Sequence, residues 1–361
     1  MESYWQTDLH TKLLSFLEHQ QDEHIPGYFR YSLSGDLFTN KPESNLAGSI
    51  FALKLYHMLA QTNVSEIDPV VKRVLSFQKG DGTIYDPFVS KHRFIRNVLS
   101  QLKHGSFHNF TNQGYIRAET RQVYSALLLH NIIPERIYTN VPTSPEDVKR
   151  FLTHLDWTRP WEAGSHFSHL MFFLSLMKKA GQLDQDAFAL AQQTALNFVQ
   201  KLQHQNDGAW YKGEPSVRQK INGAMKLITG LTVNDLTFSY PEQLIDLCLS
   251  QQTNAHDACD QINQILVLRY ASALCSNTYR SEGIRTFCLQ ALDQWQSYYH
   301  PRQGGFSFYK HKANHRYYGA KVSLGKNEPD IHGTVLFVWG LSLINQILHI
   351  PELSWIQDMK S

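Results

Sequence analysis

Apolar residues recur at helical spacing along almost the whole chain, and this periodicity restricts the fold more than any other feature. The first instance places Leu9, Leu13 and Leu17 on one stripe, and 45–59 carries a second with small residues between the apolar ones. Because Val, Ile and Thr seldom alternate, strand signals are weak. The sequence therefore predicts an all-α protein. The twelve predicted helices span 8–20, 45–59, 67–78, 118–131, 146–156, 163–180, 184–205, 219–232, 241–250, 259–275, 283–298 and 330–348.

These helices alternate between two compositions. The first, third and every later odd-numbered helix is rich in charged residues and Gln, as in an outer layer that faces water. The others are richer in Gly, Ala, Ser and Leu, as in an inner layer, and recur about every 57 residues. Six stacked pairs in a closed series give an (α/α)6 toroid, predicted as a single domain over 1–361. A straight solenoid is the alternative, and 132–145 is the linker if the chain divides.

Charge, hydropathy and cysteine usage exclude several classes of protein. Lys and Arg number 34 against 32 Asp and Glu, so a net charge of +2 supplies no general attraction to nucleic acid. The longest apolar stretches, such as 335–344, are shorter than the roughly 20 residues of a membrane-spanning helix. The N-terminus is polar and acidic, unlike a signal peptide, so we expect a cytoplasmic protein without an integral membrane span. Four irregularly spaced cysteines favour buried free thiols.

Several predicted outer helices end in a turn that contains Gln, then Gly, then an aromatic residue. The clearest copies are 78–85 and 205–210, and the looser ones are 303–306 and 20–29. We expect the Gly to adopt the left-handed conformation and the Gln or Asp side chain to bind exposed backbone. The aromatic residue should pack beneath the next helix. The turn thus predicts a structural clasp.

This turn resembles the Gln-Trp repeat of squalene and oxidosqualene cyclases and the equivalent turns of protein prenyltransferase β subunits, whose helices form a toroid. The resemblance implies a cavity for an isoprenoid. The Asp-x-Asp-Asp motif of class II cyclases does not occur, which argues against squalene-type cyclisation. Asp330 and His332 resemble the His-bearing helix start of the prenyltransferase zinc site, but its Asp-x-Cys element is missing because no Cys follows Cys288. We therefore predict no metal and no cofactor.

The mouth of such a toroid is expected to attract anions, because the N-termini of the inner helices point their free N–H groups toward it. Two runs of basic residues lie near that mouth in the sequence, and solvated basic loops are the alternative interpretation. The runs are Arg302, Lys310, Lys312, Arg316, Lys321 and Lys326, and Lys91, Arg93, Arg96, Lys103, Arg117 and Arg121.

Candidate catalytic residues lie at the starts of inner helices. His166 and His169 share a helix face and have the chemistry of an acid or base, with satisfied histidines between packed helices as the alternative. Asp330 with His332 is a candidate acid/base couple, and Glu119 a candidate base. A stabilising acid in the first turn is the alternative for both carboxylates.

Candidate substrate-binding residues are mainly cationic. Arg218, Asn222 and Lys226 follow at i, i+4 and i+8 on one face of an inner helix, and an ion pair is the alternative for Lys226. Arg121 adds a cation to the second inner helix. The loop 311–319 gathers further donors and aromatic rings, as substrate-gripping loops do. The candidates are His315 and Arg316 in this loop, and Tyr309 just before it.

Three functions follow. The first is an enzyme of the terpenoid cyclase and prenyltransferase-like class, with an anionic substrate such as an isoprenoid diphosphate in a central cavity. The second is a lyase or hydrolase of acidic polysaccharide, a class that uses the same toroid with a Tyr or His base beside a group that neutralises the uronate. The third is a toroid that binds a ligand or protein without turnover. The sequence does not indicate an oligomeric state.

Overall fold

The computed structural model of the protein describes residues 8–38, 43–92, 113–251, 257–276 and 278–359. These ranges are largely helical, with one two-stranded antiparallel sheet. A further helical segment occupies 87–92, and a 3-10 turn occupies Pro351–Leu353. The labelled elements are α1 (Leu9–Gln20), α2 (Leu46–Met58), α3 (Val64–Ser76), α4 (Gln113–Leu129), α5 (Pro145–Thr153), α6 (Pro160–Lys179), α7 (Gln185–Gln200), α8 (Val217–Thr232), α9 (Pro241–Leu249), α10 (Ala258–Ser272), α11 (Ser281–Trp295), β1 (Arg316–Tyr317), β2 (Ala320–Lys321) and α12 (Ile331–Leu348).

The predicted all-α class is confirmed, and each of the twelve predicted helices has a counterpart among α1 to α12. The differences lie at the boundaries. Helix α3 begins earlier than predicted because the Asn63 side chain accepts a hydrogen bond from the Ser65 backbone N–H and caps it. Helix α7 ends five residues early because the chain beyond Gln200 belongs to a turn. The hairpin of β1 and β2 was not predicted, since two-residue strands carry no periodic signal.

The even-numbered helices are the more deeply buried set, and they pack in a closed series. Contacts join α2 to α4, α4 to α6, α6 to α8, α8 to α10, α10 to α12, and α12 back to α2. Small residues allow the most extensive of these contacts, between α6 and α8. A Cβ atom on Gly223 would lie 2.7 Å from Pro160, and one on Gly164 would lie 2.7 Å from Leu227. The Gly content of the predicted inner helices is therefore a packing requirement.

Four turns after odd-numbered helices share one backbone pattern, as the sequence predicted. Each contains an isolated antiparallel bridge and a glycine with positive φ. These glycines are Gly27 after α1, Gly82 after α3, Gly208 after α7 and Gly304 after α11. A Cβ atom on any of them would fall within 2.5 Å of backbone near another odd-numbered helix. Gly304 meets Lys12 in this way, which joins the last odd-numbered helix to the first.

Gln side chains bind backbone in the turns after α3 and α7, as predicted, whereas the Gln20 side chain at the end of α1 is buried without a partner among the described residues. Gln78 Nε2 donates to the Arg136 carbonyl at 2.6 Å, which attaches the predicted linker region 132–145 to the turn after α3. In the turn after α7 the corresponding residue is Gln203, not the predicted Gln205. Its Nε2 donates to the Gly208 carbonyl at 2.9 Å.

The Asp330 carboxylate connects three segments at the start of α12. Oδ1 accepts the Gly333 backbone N–H at 2.7 Å and caps the helix. Oδ2 accepts the backbone N–H groups of Phe308 at 2.8 Å and Asn314 at 2.9 Å. The Asp330 backbone also forms an isolated antiparallel bridge with Ser32 near the N-terminus. One fully buried carboxylate therefore fixes the loop before α12 to the helix itself.

Among the described residues, α12 is the one helix that is long and apolar enough to cross a membrane. It has 18 residues, and 61% of them are buried inside the protein. It contacts α2, α10 and α11. A core helix of a folded protein has the same properties, so no clear membrane span is indicated.

We expect Asp330→Ala to lower the free energy of unfolding by about 3 kcal/mol or more. The change leaves three buried backbone N–H groups without their acceptor, and each such group costs about 1–3 kcal/mol. Asp184→Ala is the matched control, because Asp184 caps α7 through one bond at the surface and is worth about 1 kcal/mol. Urea unfolding measures both variants. Equal losses would show that Asp330 acts as an ordinary helix cap.

Candidate functional site

A cavity of about 430 Å³ lies among the even-numbered helices, and all six contribute to its wall. The loop 308–318 and Met359 complete the lining. The wall residues on the helices are Phe51, Lys54, Arg121, Gln122, Ser125, Leu129, Trp161, Met225, Lys226, Thr229, Cys259, Asn263, His332, Val335, Leu336 and Trp339. Its volume falls within the range of small-molecule sites.

Three cations face this cavity from different helices. Lys54 on α2 and Arg121 on α4 are only 7% and 8% exposed, and Lys226 on α8 is half-buried. No Asp or Glu belongs to the described lining of the cavity. In the described part of the chain, none of the three cations has an ion pair. They form what we call the cation cluster, made of Lys54, Arg121 and Lys226.

The cation cluster is incompletely hydrogen-bonded. Lys54 Nζ donates to the Gln122 side-chain oxygen. The Arg121 guanidinium lies over the Phe172 ring at 5.2 Å, and its Nε and Nη2 atoms are buried without a partner among the described residues. A buried guanidinium with two unused donors is costly unless something else accepts from them. The cluster thus has donors available for a ligand.

Burial and mutual repulsion lower the pKa values of the cation cluster. Burial, followed by the charges of Arg121 and Lys226, lowers the pKa of Lys54 to about 7. Burial, followed by the charge of Arg121, lowers the pKa of Lys226 to about 8. Burial also lowers that of Arg121 to about 10. A bound anion would reverse these shifts, because an opposite charge favours the protonated amines.

Aromatic rings and aliphatic side chains supply most of the remaining wall. His332 stacks on Phe51, with ring centroids 4.6 Å apart and planes at 10°, and Phe308 and Tyr317 flank it. The wall also includes an apolar set of Leu129, Val335, Leu336, Trp339 and Met359. The cavity therefore combines a strongly cationic region with an apolar one, which suits a ligand that has an anionic head and an apolar body.

Five of the twelve predicted site residues line the cavity: Arg121, Lys226, Tyr309, Arg316 and His332. Within the second basic run, Arg93, Arg96 and Lys103 lie outside the described residues. In the first run, Arg302, Lys310, Lys312, Lys321 and Lys326 are exposed, which agrees with a solvated loop.

The histidines of α6 lie behind the cavity wall, not on it. His166 Nδ1 accepts a hydrogen bond from Arg117 Nη2, and burial together with the Arg117 charge lowers the His166 pKa to about 4. His169 is buried, and burial is the main cause of a pKa well below its ordinary value. Both rings are therefore neutral. His166 matches the alternative of a satisfied histidine between packed helices, whereas His169 Nδ1 is buried without a partner among the described residues.

The predicted carboxylates also serve the fold. Glu119 is fully buried against the Tyr115 hydroxyl, and burial raises its pKa well above the ordinary value, so it is protonated. Asp330 bonds three backbone N–H groups, as described above. The expected couple is thus divided, since His332 lines the cavity and Asp330 does not.

Three predicted binding residues lie elsewhere. Arg218 is largely exposed and pairs with Asp260. Asn222 is buried and donates to the same Asp260 at 2.9 Å while accepting from Asn263. His315 is outside the lining. Of the predicted series on α8, only Lys226, its most C-terminal member, lines the cavity.

Lys54 is the clearest functional residue of the cavity wall that sequence reasoning missed. The signal was present, because Lys54 is the single charged residue in a helix that is apolar on all sides. An isolated charge in such a helix must either pair or reach a cavity.

We expect Lys54→Met to increase the free energy of unfolding by about 1–3 kcal/mol near neutral pH, because it removes a buried charge without a counter-ion. The pKa of Lys54 is about 7 in the folded protein against 10.5 in the unfolded chain. The unfolded chain therefore binds more protons, and the advantage of the variant should shrink as pH rises from about 7 to about 10. Denaturation of both proteins across this range tests it. A constant difference would contradict the assigned pKa.

No protein-family model matches the chain, and no curated protein matches it. The assignment of function therefore rests on the cavity and its lining residues.

Proposed function

We propose that the protein is an (α/α)6 toroid of the terpenoid cyclase and prenyltransferase-like class, with a central cavity that binds an anionic ligand. Isoprenoid diphosphates are the favoured ligands. The closed series of contacts among α2, α4, α6, α8, α10 and α12 supports the toroid. The contact of Gly304 with Lys12 supports closure of the outer layer as well.

The cation cluster is the observation that carries the proposal. Three cations around one cavity, two of them buried and one half-buried, with no carboxylate in its described lining, favour an anion of high charge. A single carboxylate would leave two of them uncompensated, whereas a diphosphate supplies several negative charges and many acceptor oxygens. Phosphate oxygens also suit the unused Nε and Nη2 donors of Arg121.

The remaining wall favours a hydrocarbon body on this anion. Leu336, Trp339 and Met359 offer apolar surface, and Phe51 and Tyr317 offer aromatic faces. Aromatic faces stabilise positive charge in an otherwise apolar site. Cations beside the diphosphate stabilise it as it departs. The same cavity therefore has the parts that carbocation chemistry on an allylic diphosphate needs.

A lyase or hydrolase of acidic polysaccharide is the second candidate, since Tyr309 and Arg316 both line the cavity. It is less well supported, because His166 and His169 lie outside the cavity. Burial also raises the pKa of Tyr309, which disfavours it as a base. Binding without turnover is favoured if the polar residues are all held in ion pairs. Arg218 is paired in this way, but Lys226 and His332 are not, in the described residues.

We expect farnesyl or geranylgeranyl diphosphate to raise the melting temperature more than inorganic diphosphate does. Stabilisation follows RT ln(1 + [L]/Kd), about 2.7 kcal/mol at a hundredfold excess over Kd. Lys226→Met should remove most of the shift, whereas Lys201→Met, at an exposed site on the end of α7, should retain it. A shift with uronate oligosaccharides alone would support the second candidate. No shift with any ligand would refute anion binding.

We expect the affinity for inorganic diphosphate to fall as pH rises through about 7 to about 8, as Lys54 and Lys226 lose their protons. Binding in this window should also take up protons, because the anion raises both pKa values. Calorimetry in buffers of different ionisation enthalpy measures that uptake. Lys54→Met should bind more weakly and take up fewer protons. An uptake unchanged by this substitution would separate Lys54 from the ligand.

A further inference from the structure

A chain of hydrogen bonds that begins in the cavity wall determines which nitrogen of His332 carries its proton. The chain begins at Asn314, whose Oδ1 accepts the Arg316 backbone N–H at 3.2 Å. A backbone N–H can only donate, so this contact fixes the orientation of the amide. The Asn314 NH₂ group therefore points the other way, toward Tyr31 and His332.

Tyr31 is the second member of this chain. Its hydroxyl accepts from Asn314 Nδ2 at 2.9 Å and lies 2.9 Å from His332 Nδ1. Tyr31 is fully buried, and burial raises its pKa well above the ordinary value, so the hydroxyl keeps its proton. Because its one hydrogen does not point at Asn314, it is available to His332.

His332 Nδ1 consequently faces two donors, the Tyr31 hydroxyl and the Asn314 amide at 3.1 Å. It must act as an acceptor. A proton on Nδ1 would oppose the Asn314 amide, and Lys54 on α2 further disfavours a charged ring. A neutral imidazole with an acceptor at Nδ1 carries its hydrogen on Nε2. Among the described residues, no protein group bonds Nε2, although the ring lines the cavity.

We infer that His332 is a fixed neutral donor that offers its Nε2–H to an acceptor oxygen of the bound ligand, with Tyr31 and Asn314 as its positioning residues. The inference rests on the proposed function and adds to it a requirement on the ligand. Next to the group neutralised by the cation cluster, the ligand must place an oxygen that accepts a hydrogen bond from an uncharged donor. Ester, bridging and terminal oxygens of a phosphoester all meet this requirement.

The first test reads the tautomer directly and needs no ligand. Nitrogen-15 NMR of the imidazole side chains should show His332 with Nδ1 unprotonated and Nε2 protonated, without change between about pH 5 and about pH 8. His332→Gln identifies the resonance by its loss. Asn314→Asp replaces the amide donor with an acceptor of the same shape, so it should move the hydrogen to Nδ1 or charge the ring. A wild-type ring protonated on Nδ1 would overturn the inference.

The second test measures the contribution of the donor to binding, with farnesyl diphosphate as the probe. His332→Gln retains a donor at similar reach, and His332→Met has similar length without one. We expect the Met variant to bind about tenfold or more weakly than the Gln variant, the usual effect of a hydrogen bond to a charged group. Tyr31→Phe should weaken binding less than His332→Met, because it loosens the tautomer without removing the donor.

The outcomes separate this inference from the proposed function. If the wild-type protein binds the probe and the Gln and Met variants bind equally, the donor role is wrong and the anion site remains. If the wild-type protein binds none of the diphosphates, the proposed function fails, and with it the ligand assigned to His332. Thermal unfolding of each variant shows whether a loss of binding comes from a loss of folding.

Discussion

The bonds of the buried Asp330 carboxylate are the interaction on which the rest of the structure depends. They hold the start of α12 and the loop 306–314 together, while the Asp330 backbone pairs with Ser32. Both positioning residues of His332 lie in segments that meet there. A carboxyl group that is expensive to bury, and whose pKa burial raises to about 7, is thus used where many backbone N–H groups need an acceptor, and the binding wall is assembled around it.

The cavity uses charge in the opposite way. Backbone N–H groups bond both carboxylate oxygens of Asp330, whereas the cation cluster keeps donors without a partner among the described residues. The packing of the surrounding helices compensates for the free energy that this costs. Sites that bind ligands tightly often reduce stability in this manner, because groups arranged for a partner are strained without one. Buried polar groups that the protein satisfies completely belong to the framework, and buried groups that keep unused donors belong to the binding site.

The periodicity of the sequence predicted the helices and their class because amphipathic spacing acts within one element. The glycine turns were predictable for the same reason, since a left-handed glycine is a local property. The site was predictable in part, from the cations Arg121 and Lys226 on inner helices and from polar residues of the last helix start and the loop before it. Tyr31 and Asn314 are 283 residues apart, and nothing in either local sequence indicates their contact. Asp330 and His332 are neighbours whose side chains leave the helix start in different directions, which spacing alone does not resolve.

The packing of α12 against α2 also has a consequence for the order in which the protein is made. Helix α12 is synthesised after all the other helices of the closed series. Until then, α2 and the segment around Tyr31 lack the surface that covers them, and apolar faces stay open to solvent. Contacts of such high sequence separation slow folding and prolong exposure to aggregation. A chain that stops before α12 lacks the wall that this helix supplies, so its cavity would be incomplete.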